Sequence, residues 1–346
     1  MTQHRNSLIV SGAGSLALMR ETLPDVGLND AVVRVSFGGI CGSDLHYWKS
    51  GSSGTAVLRA PLVLGHEIVG VVAAAALDGS GPISGTPVAV YPATPCENCS
   101  QCRANRPNLC VQMRYLGSAA HFPHTGGGFA SEIVVRANNL RALPASMPLE
   151  RFAMTEPASV AWHAATRADK IAGARVLVVG AGPIGLALVA VLRLFAPARI
   201  TVVDLYERPL TVARSLGADV TISAGNAQLI DAETVDVTFE CSGSAAGMEQ
   251  AVTTTRGGGE IILVGNQKSR LVPFAAAAAI SSELTVRGSY RFDQEFDEVI
   301  AAIATGHLDL STIVTASFDV SEFQTAFELA ANPEKSSKVL LSFPGH

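Results

Sequence analysis

A chain of 346 residues is long enough for about two domains. Its 48% hydrophobic and 16% charged residues exclude intrinsic disorder, and no uninterrupted apolar run is long enough to span a bilayer. A net charge of −5 without any basic cluster argues against a nucleic-acid partner. The opening residues, 1–6, do not form a secretory signal, so a cytoplasmic protein away from membranes is expected.

In chain order, residues 1 to about 150 read as short β segments between turns, with strands at 31–36, 68–72 and 87–91. The turn spacing favours a compact barrel-like β domain. Loops rich in Gly, Ser, Pro and Cys follow, above all at 92–128, where no regular pattern is visible and a staple or a function is expected. From about 153 strands and helices alternate: strand 175–179, helix 184–195, strand 200–203, helix 207–216, then strands 235–240 and 260–264. That texture is a parallel sheet covered on both faces. The alanine run 275–279 reads as helical packing. Beyond 293 the pattern gives a helix at 295–304, a short strand, a helix at 321–331 and a last strand at 338–343 that returns to the first domain.

Gly180-Ala181-Gly182-Pro183-Ile184-Gly185 follows a buried strand and opens a helix. Glycine-rich turns without a ligand are common, but Asp204 at the end of the next strand stands where a ribose-binding carboxylate is expected. Gly180 permits the tight turn, Gly182 the approach of a pyrophosphate, and Gly185 the closure of helix on strand. The helix N-terminus offers free N–H groups to phosphate. Asp204 repels a 2′-phosphate, so NAD is favoured over NADP, while Arg208 close behind it offsets part of that repulsion.

Of six cysteines, Cys96, Cys99, Cys102 and Cys110 fall within fifteen residues at C-x2-C-x2-C-x7-C. Without an export signal this spacing points to metal. Four thiolates close a tetrahedral shell around a structural Zn²⁺, with an iron–sulfur cluster as the rival. Cys241, after a strand, reads as a buried core thiol. Cys41, His66, Glu67 and Glu156 form a mixed donor set, but spacing alone does not group them.

Over essentially its whole length the sequence resembles the zinc-dependent medium-chain dehydrogenase/reductases. The matching features are Gly39-Ile40-Cys41-Gly42-Ser43-Asp44-Leu45-His46, Gly65-His66-Glu67, the four-cysteine lobe, Glu156-Pro157 and the turn at 180–185. Glu156 in place of a third soft ligand is similar to the polyol (sorbitol) branch. The resemblance implies an α/β fold: a GroES-like β-barrel catalytic domain at 1–152 and 293–346, with a zinc lobe at about 92–112, and a Rossmann-type doubly wound parallel sheet at 153–292. It implies a catalytic zinc held by Cys41, His66 and Glu156, with Glu67 as an occasional ligand, and a second, structural zinc on the lobe. Asp44 would orient His66, and Ser43 would pass a proton to His46, although a polar turn would look the same. Cofactor contacts fall on Gly180, Gly182, Pro183, Ile184, Gly185, Asp204, Arg208, Ser242, Val264 and Gly265.

Tyr47, Phe122, Arg291 and Phe292 match substrate-pocket positions, and Arg291 is the first candidate to bind a carboxylate, ahead of His121 and His124. The activity so implied is oxidation of a sugar acid, L-idonate to 5-keto-D-gluconate, with NAD. A neutral sorbitol- or xylitol-type polyol is the alternative substrate. A catalytically silent zinc- and NAD-binding protein is the alternative of another class, against which the intact set from Cys41 to Glu156 argues. Dimers or tetramers are usual in the family, with helix 271–280 and strand 284–288 as a sheet-edge contact.

Overall fold

Two β systems organise the chain, each built as its residues dictate. The computed structural model describes residues 3–229, 234–267 and 271–344, so Met1 and Thr2 of the amino-terminal stretch lie outside the described residues. Six parallel strands run in the order Val220–Ser223, Arg199–Asp204, Arg175–Val179, Val235–Glu240, Thr255–Leu263, Thr285–Gly288. In chain order this is 3-2-1-4-5-6, the doubly wound arrangement whose crevice opens between the first and fourth strands. Val176, Leu177, Val178, Ile200 and Val202 are buried because helices cover the sheet.

The second system is a seven-stranded, largely antiparallel sheet. Its path is Leu140–Ala142, Pro87–Val90, Glu67–Ala74, Asp30–Gly39, Lys338–Ser342, Val314–Asp319, with Glu132–Arg136 also paired to Asp30–Gly39. The last strand of the chain joins this sheet, placing Leu340 opposite Gly39 and Leu341 opposite Gly38. A hairpin of His4–Gly12 and Ser15–Thr22 adds Leu62–Val63 as a third strand. Among the described residues no helix is long and apolar enough to cross a membrane.

Helices Gly42–Ser50 and Thr155–Thr166 stand where the sequence pattern shows none. Gly42–Ser50 begins at Cys41, where the carboxylate of Asp44 reaches back to the Cys41 N–H at 2.9 Å, and it ends at Gly51 with φ of +68°. Ser43 and His46 therefore ride on a helix rather than on a polar turn. Thr155–Thr166 packs against both Pro183–Arg193 and Glu295–Ala304; its buried Ala158, Ala161, Ala164 and Ala165 let three helices approach closely. The alanine run is helical as expected, in helix Ala276–Ser281, where Ala278 and Ala279 are partly buried against Ala251, Val252 and Ile261. The stretch at 92–128 holds short elements after all: Ala93–Thr94 pairs with Arg114–Tyr115, and a single helical turn spans Ser100–Arg103.

Candidate metal and dinucleotide sites

The strand Asp30–Gly39 delivers Cys41 just beyond its end, and the neighbouring strand starts at Glu67, directly after His66. Their register sets Gly39 opposite Glu67, where a side chain on Gly39 would collide with the Glu67 carboxylate. Cys41, His66 and Glu67 thus offer ligand atoms that all lie within 4.8 Å of one another. Asp44 ties the two loops together: one oxygen accepts from Cys41 N at 2.9 Å and the other from Gly65 N at 3.2 Å. Its hydrogen bonds go to the backbone beside His66, so its influence on that ring is through charge.

The charges sort themselves by partner. Both Glu67 oxygens accept from Lys338 Nζ at 2.7 Å, and the same ammonium donates to the Ile40 carbonyl at 3.0 Å. Glu156 enters from the start of helix Thr155–Thr166, and its Oε1 accepts from the Tyr115 hydroxyl at 2.6 Å. The Tyr115 ring meets His66 edge-on with centroids 5.7 Å apart. Burial opposes charge on His66, but the Cys41 sulfur, by charge and hydrogen bond, with the charges of Asp44 and Glu156, holds the ring well above its ordinary pKa. Burial likewise raises the Glu156 carboxyl, against the pull of His66. Glu67 is matched by Lys338, and Glu156, outside the three-residue group within 4.8 Å, is the nearby carboxylate bonded to a hydroxyl and not to an ammonium; it and the Cys41 sulfur are the further donors on hand. Together with the His66 imidazole they suit a dication such as Zn²⁺.

The expected substrate residues scatter. Arg291 lies over the Tyr115 ring, 4.5 Å from its centroid, and also over Tyr290 at 4.8 Å. Its φ of +56° is a left-handed conformation that few non-glycine residues adopt. Tyr47 is instead a core residue whose hydroxyl accepts from Ala119 N at 3.0 Å. Phe292 is also buried, stacked on Phe296 and edge-on to Tyr91. Phe122 is 56% exposed, under the Arg59 guanidinium and beside His124. The ring of His124 spans Arg59 N and the His121 carbonyl, so its two nitrogens are already engaged. Lys338 and Tyr115 were missed as site residues; the only sequence signal for Lys338 is one cation opening an apolar strand.

In the lobe, Cys96, Cys99, Cys102 and Cys110 also bring four ligand atoms within 4.8 Å. The N–H groups of Cys102 and Val111 point at Cys99 and bring its thiol down to about 6. Four clustered thiols, one already biased toward thiolate, fit a closed zinc site.

At the crevice of the parallel sheet, Gly180 takes φ of +96°, and a Cβ there would stand 2.7 Å from Ser242 N. A side chain on Gly185 would strike the Gly180 carbonyl, so helix and strand need that glycine. Gly182 is different: a Cβ on it would meet nothing within 4 Å, which leaves open space over the N-terminus of helix Pro183–Arg193. That space is where a pyrophosphate fits. Asp204 accepts from Ala181 N at 2.7 Å and Tyr206 N at 3.0 Å, which holds its carboxylate at the rim. Val264 N and Gly265 N both donate to the Glu240 carbonyl, and Ser242 N to its side chain. Arg208 turns elsewhere, bonding Ser337 Oγ and Thr315 Oγ1 at 2.9 Å each.

A doubly wound sheet with an open phosphate turn, beside a sulfur–imidazole–carboxylate cluster and a four-cysteine lobe, fits an enzyme that uses both a dinucleotide and a metal. Residues 27–145 match the alcohol dehydrogenase GroES-like domain and residues 183–305 the zinc-binding dehydrogenase family. L-idonate 5-dehydrogenase (NAD(P)(+)) of Escherichia coli K12 is 33% identical over 341 residues, covering 97% of this chain and 98% of its own. Sorbitol dehydrogenase of Arabidopsis thaliana is 34% identical over 345 residues, covering 96% and 93%. The crystal structure of the Escherichia coli L-idonate 5-dehydrogenase superposes with a TM-score of 0.93 at 32% identity, over 99% of each chain. The chain belongs to the zinc-dependent medium-chain dehydrogenase/reductase family, among its polyol and sugar-acid dehydrogenases.

Proposed function

We propose that this enzyme oxidises L-idonate to 5-keto-D-gluconate with NAD as the acceptor. The observation that carries the reading is the placement of Arg291. Its guanidinium covers Tyr115, whose hydroxyl binds Glu156 beside the Cys41–His66 cluster. A cation one aromatic ring away from the metal donors suits a substrate with a hydroxyl at one point and a carboxylate at another. Holding a bulky residue in the left-handed region costs about 1–3 kcal/mol, and such outliers gather at ligand clamps.

Cys41, His66 and Glu156 would hold the catalytic zinc, and Cys96, Cys99, Cys102 and Cys110 the structural one. Zinc, when bound, supplies the Lewis acidity that makes a secondary hydroxyl acidic near neutral pH, and NAD supplies the hydride acceptor. Ser43, two residues beyond Cys41 on helix Gly42–Ser50, takes the hydroxyl proton. His46, one turn further along the same helix and partly exposed, delivers it to solvent. Asp204 receives the ribose hydroxyls and disfavours NADP. The division of the chain at 152/153 and 292/293, a cytoplasmic location, and a dimer or tetramer joined along the outer strand Thr285–Gly288 belong to the same reading.

Arg291→Ala tests it. Loss of a charge-assisted contact of about 1.5–3 kcal/mol lowers kcat/KM for L-idonate about 10- to 100-fold while leaving sorbitol turnover within twofold. Equal kcat/KM for idonate in the two enzymes would sink the carboxylate-binding role. Neutral polyols are the second reading, favoured by the sorbitol dehydrogenase relative at 34% identity.

A further inference from the structure

The fourth strand of the parallel sheet, Val235–Glu240, ends in a carboxylate that the proposed chemistry does not use. Glu240 has no solvent exposure. Its Oε1 accepts from Ser242 N at 2.8 Å, from Gly243 N at 3.1 Å and from the Ser242 hydroxyl; its Oε2 accepts from Gln267 Nε2 at 3.3 Å. None of these partners is a cation. Burial pushes its carboxyl up, while the two backbone N–H groups, which can only donate, and the Ser242 hydroxyl pull toward the ionised form. Among the described residues, its hydrogen-bond partners are therefore dipoles, gathered at the C-terminal end of the strand that flanks the crevice.

Its surroundings show what that charge faces. The turn Cys241-Ser242-Gly243, folded around the carboxylate, abuts Gly180 of the phosphate turn. Both turns line one cavity of about 730 Å³, which includes Gly182, Ser242, Gly243 and Gln267 and reaches Ile40 and Leu45 on either side of Cys41 in the chain. A dinucleotide laid from Asp204 toward the metal cluster passes along this wall, with its reactive ring at the Ile40–Leu45 end.

We propose that Glu240 is a positioning residue that sets the preference of this site between oxidised and reduced cofactor, its field favouring the form with a positively charged ring. The two forms share adenosine, ribose and pyrophosphate, so contacts to those groups cancel in the ratio of their affinities, and substituting Glu240 isolates its share of the field on the ring from that of the metal cluster. What remains is one unit of charge on the ring, acted on by a carboxylate one turn of chain below the cavity surface.

The test is binding to the zinc-loaded enzyme, without turnover: NAD⁺ by calorimetric titration and NADH by its fluorescence. Glu240→Gln keeps the shape and removes the charge, and the ratio of Kd for NAD⁺ to Kd for NADH rises about five- to tenfold, the size of one charge acting across a partly solvated cleft. Glu240→Met, likewise uncharged, raises the ratio in the same sense and decides the matter if Glu240→Gln does not fold; Gln267 lines the cavity and stays unchanged, because a charge placed there would act on the ring directly. Glu240→Asp retains the charge, so its ratio stays at the wild-type value even where both affinities fall. A ratio within twofold of wild type in folded Glu240→Gln or Glu240→Met overturns the proposal. So does an equal rise in Glu240→Asp, which would trace the effect to the shape of the turn.

Discussion

Lys338→Met isolates the charge balance behind the catalytic cluster. Lys338 and Glu67 are each 1% exposed and meet at 2.7 Å, and the ammonium also holds the Ile40 carbonyl at 3.0 Å. Methionine keeps most of the volume and none of the charge, so it strands the Glu67 carboxylate in the interior. Breaking one side of such a buried pair costs about 3–5 kcal/mol. Adding Glu67→Gln removes the stranded charge and returns the larger part of that loss, leaving about 1–2 kcal/mol for the hydrogen bonds that are gone. Urea unfolding of wild type, both single variants and the double variant at pH 7 gives the coupling energy directly. Metal analysis of the folded single variant adds a second readout: with Lys338 gone, Glu67 is the carboxylate free to turn toward zinc, so the metal content does not fall. A cost below about 1 kcal/mol for Lys338→Met, or strictly additive effects, would refute the reasoning.

Three further outcomes follow from the same geometry. Asp204→Ala removes the carboxylate beside the phosphate turn, so the kcat/KM ratio of NADP to NAD rises at least tenfold; an unchanged ratio would place ribose recognition elsewhere. Cys99→Ser opens the four-thiol lobe, and the purified protein carries one zinc per chain instead of two, with a lower unfolding midpoint. Retention of both ions would contradict a closed thiolate site. Asp236 bridges Arg175 and Arg256; burial pushes its carboxyl up, but these hydrogen bonds outweigh it and hold it below the ordinary 3.8. A depressed carboxylate stabilises the fold above pH 3.8 and loses that contribution as pH falls through its lower folded value, so Asp236→Asn is less stable at pH 7 and converges on wild type in acid. A constant gap down to pH 2 in urea unfolding would count against it.

How much of this was legible in the sequence depends on distance along the chain. The phosphate turn and the cysteine lobe are local: Gly180, Gly182 and Gly185 lie within six residues, and their spacing carries its own physical reason. The catalytic donors are not local. Cys41 and His66 meet because they flank two antiparallel neighbouring strands, and Glu156 arrives from a helix 90 residues beyond His66; only family resemblance could group them. Helix Gly42–Ser50 was hidden because Gly-Ser-Asp is turn chemistry, and its start depends on Asp44 reaching back to Cys41. Lys338 was invisible because its partner Glu67 lies on a distant strand of the same sheet. Tyr47 and Phe292, read as pocket residues, turned out to be core because burial is decided by what packs above them.

Substrate choice separates a sugar-acid dehydrogenase from a neutral polyol dehydrogenase most directly. Initial rates of NADH formation by the zinc-loaded enzyme, measured at saturating NAD over L-idonate, other aldonates, sorbitol and xylitol, put that choice to the test. The account predicts the highest kcat/KM for L-idonate, at least tenfold above either neutral polyol. A higher kcat/KM for sorbitol or xylitol would contradict it and leave Arg291 without a carboxylate to bind.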